Sequence, residues 1–167
     1  MNMDRATFES FKSQGYNRIP VVREVLADTD TPLSTYLKLG KGPHSYFFES
    51  IQGGEKWGRF SIIGLPCSTV LRVVGDRLTV ECEGEVIEAL ETSDPFEFIE
   101  AYKARFNVAE VTDNQRFGGG LVGYFAYDSV RYVEPSIGPA KDPGALDTPD
   151  ILLMLSEEVV VFDNLRG

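Results

Sequence analysis

The sequence predicts an α+β domain, sandwich-like and built mostly on antiparallel β-sheet, with a few helices. Three observations lead there. Segments that alternate with period two, or are rich in β-branched and aromatic residues, outnumber segments with helical period. The turns between them are short and marked by glycine. Only two stretches carry a full helix-start signature. With 167 residues, 43% of them hydrophobic and 25% charged, the chain has the size and composition of one globular domain.

The elements follow in order. Residues 1–15 are polar with Phe8 and Phe11, a short amphipathic helix or a frayed end. Tyr16 to Val25, interrupted by Pro20, reads as an extended arm or edge strand. Thr31 or Asp30 caps a helix opened by Pro32 and stopped at Gly40. Ser45 to Ile51 and Arg59 to Leu65 are strands rich in aromatic and aliphatic residues. Thr69 to Ala89 reads as a three-stranded meander with turns at Gly75-Asp76 and Glu83-Gly84. Within it Leu78, Val80 and Cys82 alternate with Thr79, Glu81 and Glu83, which makes Cys82 a small core residue.

Asp94-Pro95-Phe96-Glu97 is the clearest helix start: Asp94 caps, Pro95 takes the first helical position and Glu97 closes a capping box. Phe96, Ile99, Tyr102 and Phe106 then form one apolar stripe, read as packing. Phe117 to Tyr127 is a glycine-rich strand, a pattern that marks a bulge or close approach by another backbone. Asp128 to Tyr132 is a short helix, Pro135 to Pro149 is loop, and Ile151–Leu155 and Val159–Phe162 are strands.

Charge and composition exclude several function classes. Sixteen basic against 26 acidic residues give a net charge of −10, the wrong sign for nucleic acid or an anionic membrane surface. No run of about 18 apolar residues spans a bilayer, and residues 1–12 hold no secretory signal. Two cysteines, Cys67 and Cys82, and one histidine, His44, are too few for a zinc site or a disulfide framework. The reading is a reduced, cytoplasmic domain. His44 lies in a turn and reads as a loop residue. Gly118 to Gly123 contains Gly-x-Gly-x-x-Gly, but an apolar strand follows it where a dinucleotide site needs a helix.

Five stretches carry a family resemblance. They are Pro32-Leu33-Ser34-Thr35-Tyr36-Leu37-Lys38-Leu39, Tyr46-Phe47-Phe48-Glu49-Ser50, the run from Gly54 to Gly64 through Lys56-Trp57-Gly58-Arg59-Phe60, the run from Gly119 to Asp128, and Val161-Phe162-Asp163-Asn164. In this order, over roughly residues 17 to 167, the chain resembles the amino-terminal domain of anthranilate synthase component I. The resemblance implies that residues 1–167 are a regulatory domain, without the catalytic domain that acts on chorismate and binds Mg2+. It implies no catalytic residue and no cofactor here, and a chain inactive alone. The implied partners are the chain's own carboxyl-terminal catalytic domain, a glutamine amidotransferase subunit (component II) that supplies ammonia, and L-tryptophan as feedback inhibitor.

A free amino acid needs an acceptor for its ammonium, a cation or amide donors for its carboxylate, and an apolar slot for its side chain. The resemblance implies that Glu49, Ser50, Trp57, Gly58, Arg59 and Phe60 supply these. Glu49 would face the ammonium, the Arg59 fork the carboxylate, and Phe60 the indole, with Ser50 adding a hydroxyl. Without the resemblance, Glu49 and Arg59 read as a cross-strand ion pair, Trp57 as a packing anchor and Lys56 as solvated. Two other functions compete: the equivalent domain of aminodeoxychorismate synthase component I, and a scaffold with no ligand. The glycines from Gly118 to Asp128 suggest a domain boundary, and the strand ending at Phe162 suggests an exposed edge or apolar patch.

Overall fold

The computed structural model describes residues 3–49, 59–111, 118–138 and 148–164. In chain order the elements are α1 (Arg5–Ser13), α2 (Pro32–Leu39), β1 (Tyr46–Glu49), β2 (Phe60–Gly64), β3 (Thr69–Val74), β4 (Arg77–Cys82), β5 (Glu85–Glu91), α3 (Pro95–Lys103), β6 (Gly120–Phe125), β7 (Ile151–Ser156) and β8 (Val159–Asp163). Tyr127–Tyr132 and Pro135–Ile137 form 3-10 turns. All strand pairs are antiparallel. One sheet has the order β5-β4-β3-β7-β6 and the other the order β1-β2-β8. The α+β, sandwich-like expectation holds.

Local chemistry explains the elements. The meander β3-β4-β5 forms because Gly75 adopts φ +55° at the first turn, and Glu83 and Gly84 adopt φ 53° and 86° at the second. At α3 the Asp94 carboxylate accepts from the Phe96 and Glu97 amides, both at 3.1 Å. The expected box does not close through Glu97, because the Asp94 amide donates to the Thr92 hydroxyl instead. A reciprocal box forms at α2: the Ser34 amide donates to Thr31 Oγ1 at 3.1 Å, and the Thr31 amide to Ser34 Oγ at 3.0 Å. The segment after Tyr16 is an extended arm, tied to the body by a parallel bridge between Arg18 and Val108.

The layers follow from which residues face where. Leu71, Val73, Leu78, Val80, Ile151 and Leu153 line one face of the larger sheet and bury Ile99 and Tyr102 of α3. On the opposite face Val70, Val122 and Met154 pack against Tyr46 and Ile62 of the smaller sheet. The Tyr36 ring of α2 stacks on Phe47 at 5.6 Å. Cys82 is half-buried where the sequence suggested core, since it ends β4 opposite Thr69 at the margin of the sheet. Phe48, Ile62 and Val161 are neighbours across the smaller sheet, and Phe48 and Val161 are exposed.

A fork-to-carboxylate pair joins β5 to the segment after α3. Arg105 donates through Nη1 and Nη2 to Oε1 and Oε2 of Glu88, at 2.5 and 3.0 Å. The guanidinium holds the Glu88 carboxyl below its ordinary value. A carboxyl whose pKa is depressed on folding adds stability above its unfolded value of about 4.3, and that stability is lost as pH falls through the folded value. Because both side chains are partly exposed, the pair contributes less than about 1 kcal/mol. Glu88→Gln should lower the melting temperature at pH 7 by no more than about 2–4 °C. In melts at successively lower pH, the difference should shrink towards zero below the carboxylate range.

Candidate functional site

The smaller sheet brings three strand ends together. Its register sets Glu49, the last residue of β1, opposite Ser61, and Phe60, the first of β2, opposite Asp163, the last of β8. Arg59 stands just before β2. Its Nε donates to Asp163 Oδ1 at 2.9 Å and its Nη2 to Oδ2 at 2.5 Å. The turn after β8 closes over the same point: the Asn164 amide donates to the Arg59 carbonyl at 2.7 Å, and Asn164 Nδ2 to the fully buried Ser61 hydroxyl at 3.0 Å. The Arg59 guanidinium lies 5.0 Å from the centre of the Phe60 ring.

These contacts define what the site can do. Asp163 holds the Arg59 pKa above its ordinary value, so the side chain is cationic throughout the physiological range. The carboxylate engages the Nε–Nη2 edge of the fork, and Nη1 has no hydrogen-bond partner among the described residues. A planar cation is thus fixed in orientation beside an aromatic face, with donor capacity left for a second carboxylate. Glu49 is exposed and forms no ion pair among the described residues. The cross-strand pairing of Glu49 with Arg59 does not form, because Ser61 stands opposite Glu49 and Arg59 turns to Asp163.

Of the residues the sequence nominated, Glu49, Arg59 and Phe60 therefore share one end of the sheet. Ser50, Trp57 and Gly58, with Lys56, lie outside the described residues. The residue that sequence reasoning left without a role is Asp163. Its signal was a single acid closing the apolar run of β8, opposite in charge to Arg59 but 104 positions away.

A groove lies away from these strand ends. It encloses about 620 Å³ between α3, the arm and the β6–β7 edge and is lined by Ile19, Pro20, Ile99, Phe106, Leu121 and Leu153 among others. At its rim Arg18 bonds Glu157 at 3.2 Å and lies over the Phe106 ring. Gly119 borders it at φ +109°, where a Cβ would fall 2.4 Å from the Ser156 carbonyl oxygen. The close backbone approach expected from the glycine run is therefore made by β7, within the domain. Among the described residues no group of three His, Cys, Asp or Glu is placed to hold a metal ion. No described helix is long and apolar enough to cross a membrane.

No family model matches the chain. Whole-sequence similarity is informative. The chain is 55% identical over 165 residues to anthranilate synthase component 1 of Pseudomonas aeruginosa, covering 99% of this chain and 34% of that protein. It is 48% identical over 168 residues to the protein of that name from Neisseria gonorrhoeae, again covering 34% of it. Over the whole stretch it spans, the chain is similar to anthranilate synthase component 1. The similarity extends to Aquifex aeolicus, at 43% identity over 169 residues. Among solved structures, anthranilate synthase component I of Streptococcus pneumoniae superposes with a TM-score of 0.51 at 27% identity, over 87% of this chain and 30% of that one. The chain thus spans about a third of the length of the component 1 relatives it matches.

Proposed function

We propose that this chain is the regulatory part of an anthranilate synthase component I and takes L-tryptophan at the ends of β1, β2 and β8. The whole protein would make anthranilate from chorismate, with ammonia from a glutamine amidotransferase subunit, in the cytoplasm. The chemistry on chorismate, and the magnesium it uses, belong to a catalytic domain outside this chain. The names of the relatives favour this branch over the aminodeoxychorismate branch.

The observation that carries the tryptophan reading is the Arg59–Asp163 fork beside Phe60, with Glu49 at the same end of the sheet. A buttressed guanidinium binds a carboxylate with less lost rotamer freedom than a free one. Phe60 offers a ring face to an indole, and Glu49 an acceptor for an ammonium. Ser50, Trp57 and Gly58 complete the set in this reading. Inhibition then needs only that tryptophan bind one arrangement of the two domains better than the other.

Calorimetric titration tests the proposal, with L-tryptophan as ligand and D-tryptophan and L-phenylalanine as controls. Saturable binding selective for L-tryptophan is expected. A folded chain that gives no heat with L-tryptophan, or binds all three alike, would contradict the site.

A further inference from the structure

The smaller and larger sheets meet in an apolar seam that holds one buried polar bridge. Tyr46 of β1 and Ser156 of β7 lie with their side-chain oxygens 2.8 Å apart, and both residues are almost fully buried. The seam around them is Val70, Val122 and Met154, with Ile62 and Cys67 packed alongside. In such surroundings breaking the bond is costly, because it leaves the Tyr46 hydroxyl without a hydrogen-bond partner among the described residues.

Both ends of the candidate tryptophan site lead to this bridge. Glu49 and Tyr46 end the same four-residue strand, which is too short to absorb a displacement along its length. On the other side, Asp163 holds Arg59 at one end of β8, and the Glu157–Glu158 turn joins the other end of β8 to Ser156. The Tyr46 ring lies over Gly64, where a Cβ would come within 1.9 Å of it, so any shift of β1 against β2 moves the phenol. Beyond the bridge, the Ser156 carbonyl abuts Gly119, the glycine that leads into β6.

We propose that the Tyr46–Ser156 hydrogen bond is the positioning contact that carries occupancy of the strand-end site into the five-stranded sheet. This rests on the tryptophan reading of that site and adds its route of communication. Tyr46 touches no ligand in this account. It sets how the two sheets sit against each other, and tryptophan shifts that setting towards the bonded state.

Cys67 provides a reporter inside the seam, and Cys82, on β4, an internal control. Each thiol's alkylation rate by iodoacetamide is read by mass spectrometry, with and without saturating L-tryptophan. In the unaltered chain, tryptophan should slow Cys67 about fivefold or more and leave Cys82 unchanged. Tyr46→Phe keeps the ring and removes only the hydroxyl. It should bind tryptophan within about threefold of the unaltered chain yet lose the effect on Cys67. Ser156→Ala breaks the bridge from the opposite side, should behave alike, and serves if Tyr46→Phe does not fold. A tryptophan effect on Cys67 that persists in either folded variant overturns the proposal, as does binding to the unaltered chain with no effect on Cys67. Absence of tryptophan binding in the parallel titration overturns the site itself.

Discussion

Replacing Gly123 with valine is expected to destabilise the chain by at least about 3 kcal/mol in urea unfolding. Gly123 pairs with Leu153 in the middle of β6, and a Cβ there would stand 1.9 Å from the Leu152 carbonyl oxygen and 2.9 Å from its carbon. Those atoms are backbone of β7, which is hydrogen-bonded to β3 on its other edge and cannot retreat without opening the sheet. Most of β6 would have to detach. A loss below about 1 kcal/mol would mean that β6 and β7 do not pair in this register. The result also bears on the boundary suggested by the glycine run. A change in domain communication in a Gly123→Val protein would reflect damage to β6, so that substitution does not test the boundary.

Gly64→Ala should be nearly as damaging, at about 2–4 kcal/mol, through a different conflict. Its Cβ would fall 1.9 to 2.4 Å from three atoms of the Tyr46 ring. A ring on the surface would swing aside. This one is buried between the sheets and tethered through its hydroxyl to Ser156, so relief costs either the hydrogen bond or the packing. A double-mutant cycle isolates the conflict. With Tyr46→Ala in the background, Gly64→Ala should lose most of its cost, a coupling above about 1 kcal/mol. Additive losses would show that the ring does not rest on Gly64.

The legible parts of this fold were those decided by neighbours in sequence. The meander from Thr69 onward shows its period and turn residues within 21 positions, and β3, β4 and β5 form as read, with β5 running on to Glu91. The starts of α2 and α3 were legible because a cap and a proline act locally. The box at α3 was misassigned because Thr92, two residues upstream, competes for the Asp94 amide. Long-range choices were hidden. Nothing in the β7 sequence says that it inserts between β3 and β6, or that the next strand leaves for the other sheet. The site divides the same way. Arg59, Phe60 and Glu49 came from a family pattern, whereas Asp163 needed the pairing of β2 with β8. The seam bridge spans 110 positions and has no local signature.

The central claim is that Arg59, braced by Asp163, receives the carboxylate of L-tryptophan. The most direct measurement is calorimetric titration of the unaltered chain and a folded Arg59→Ala variant with L-tryptophan under the same conditions. The account predicts saturable binding to the first and at least a tenfold weaker affinity in the second, the loss expected when a charge-assisted bond of about 1.5–3 kcal/mol is removed. Equal affinity in both would contradict it.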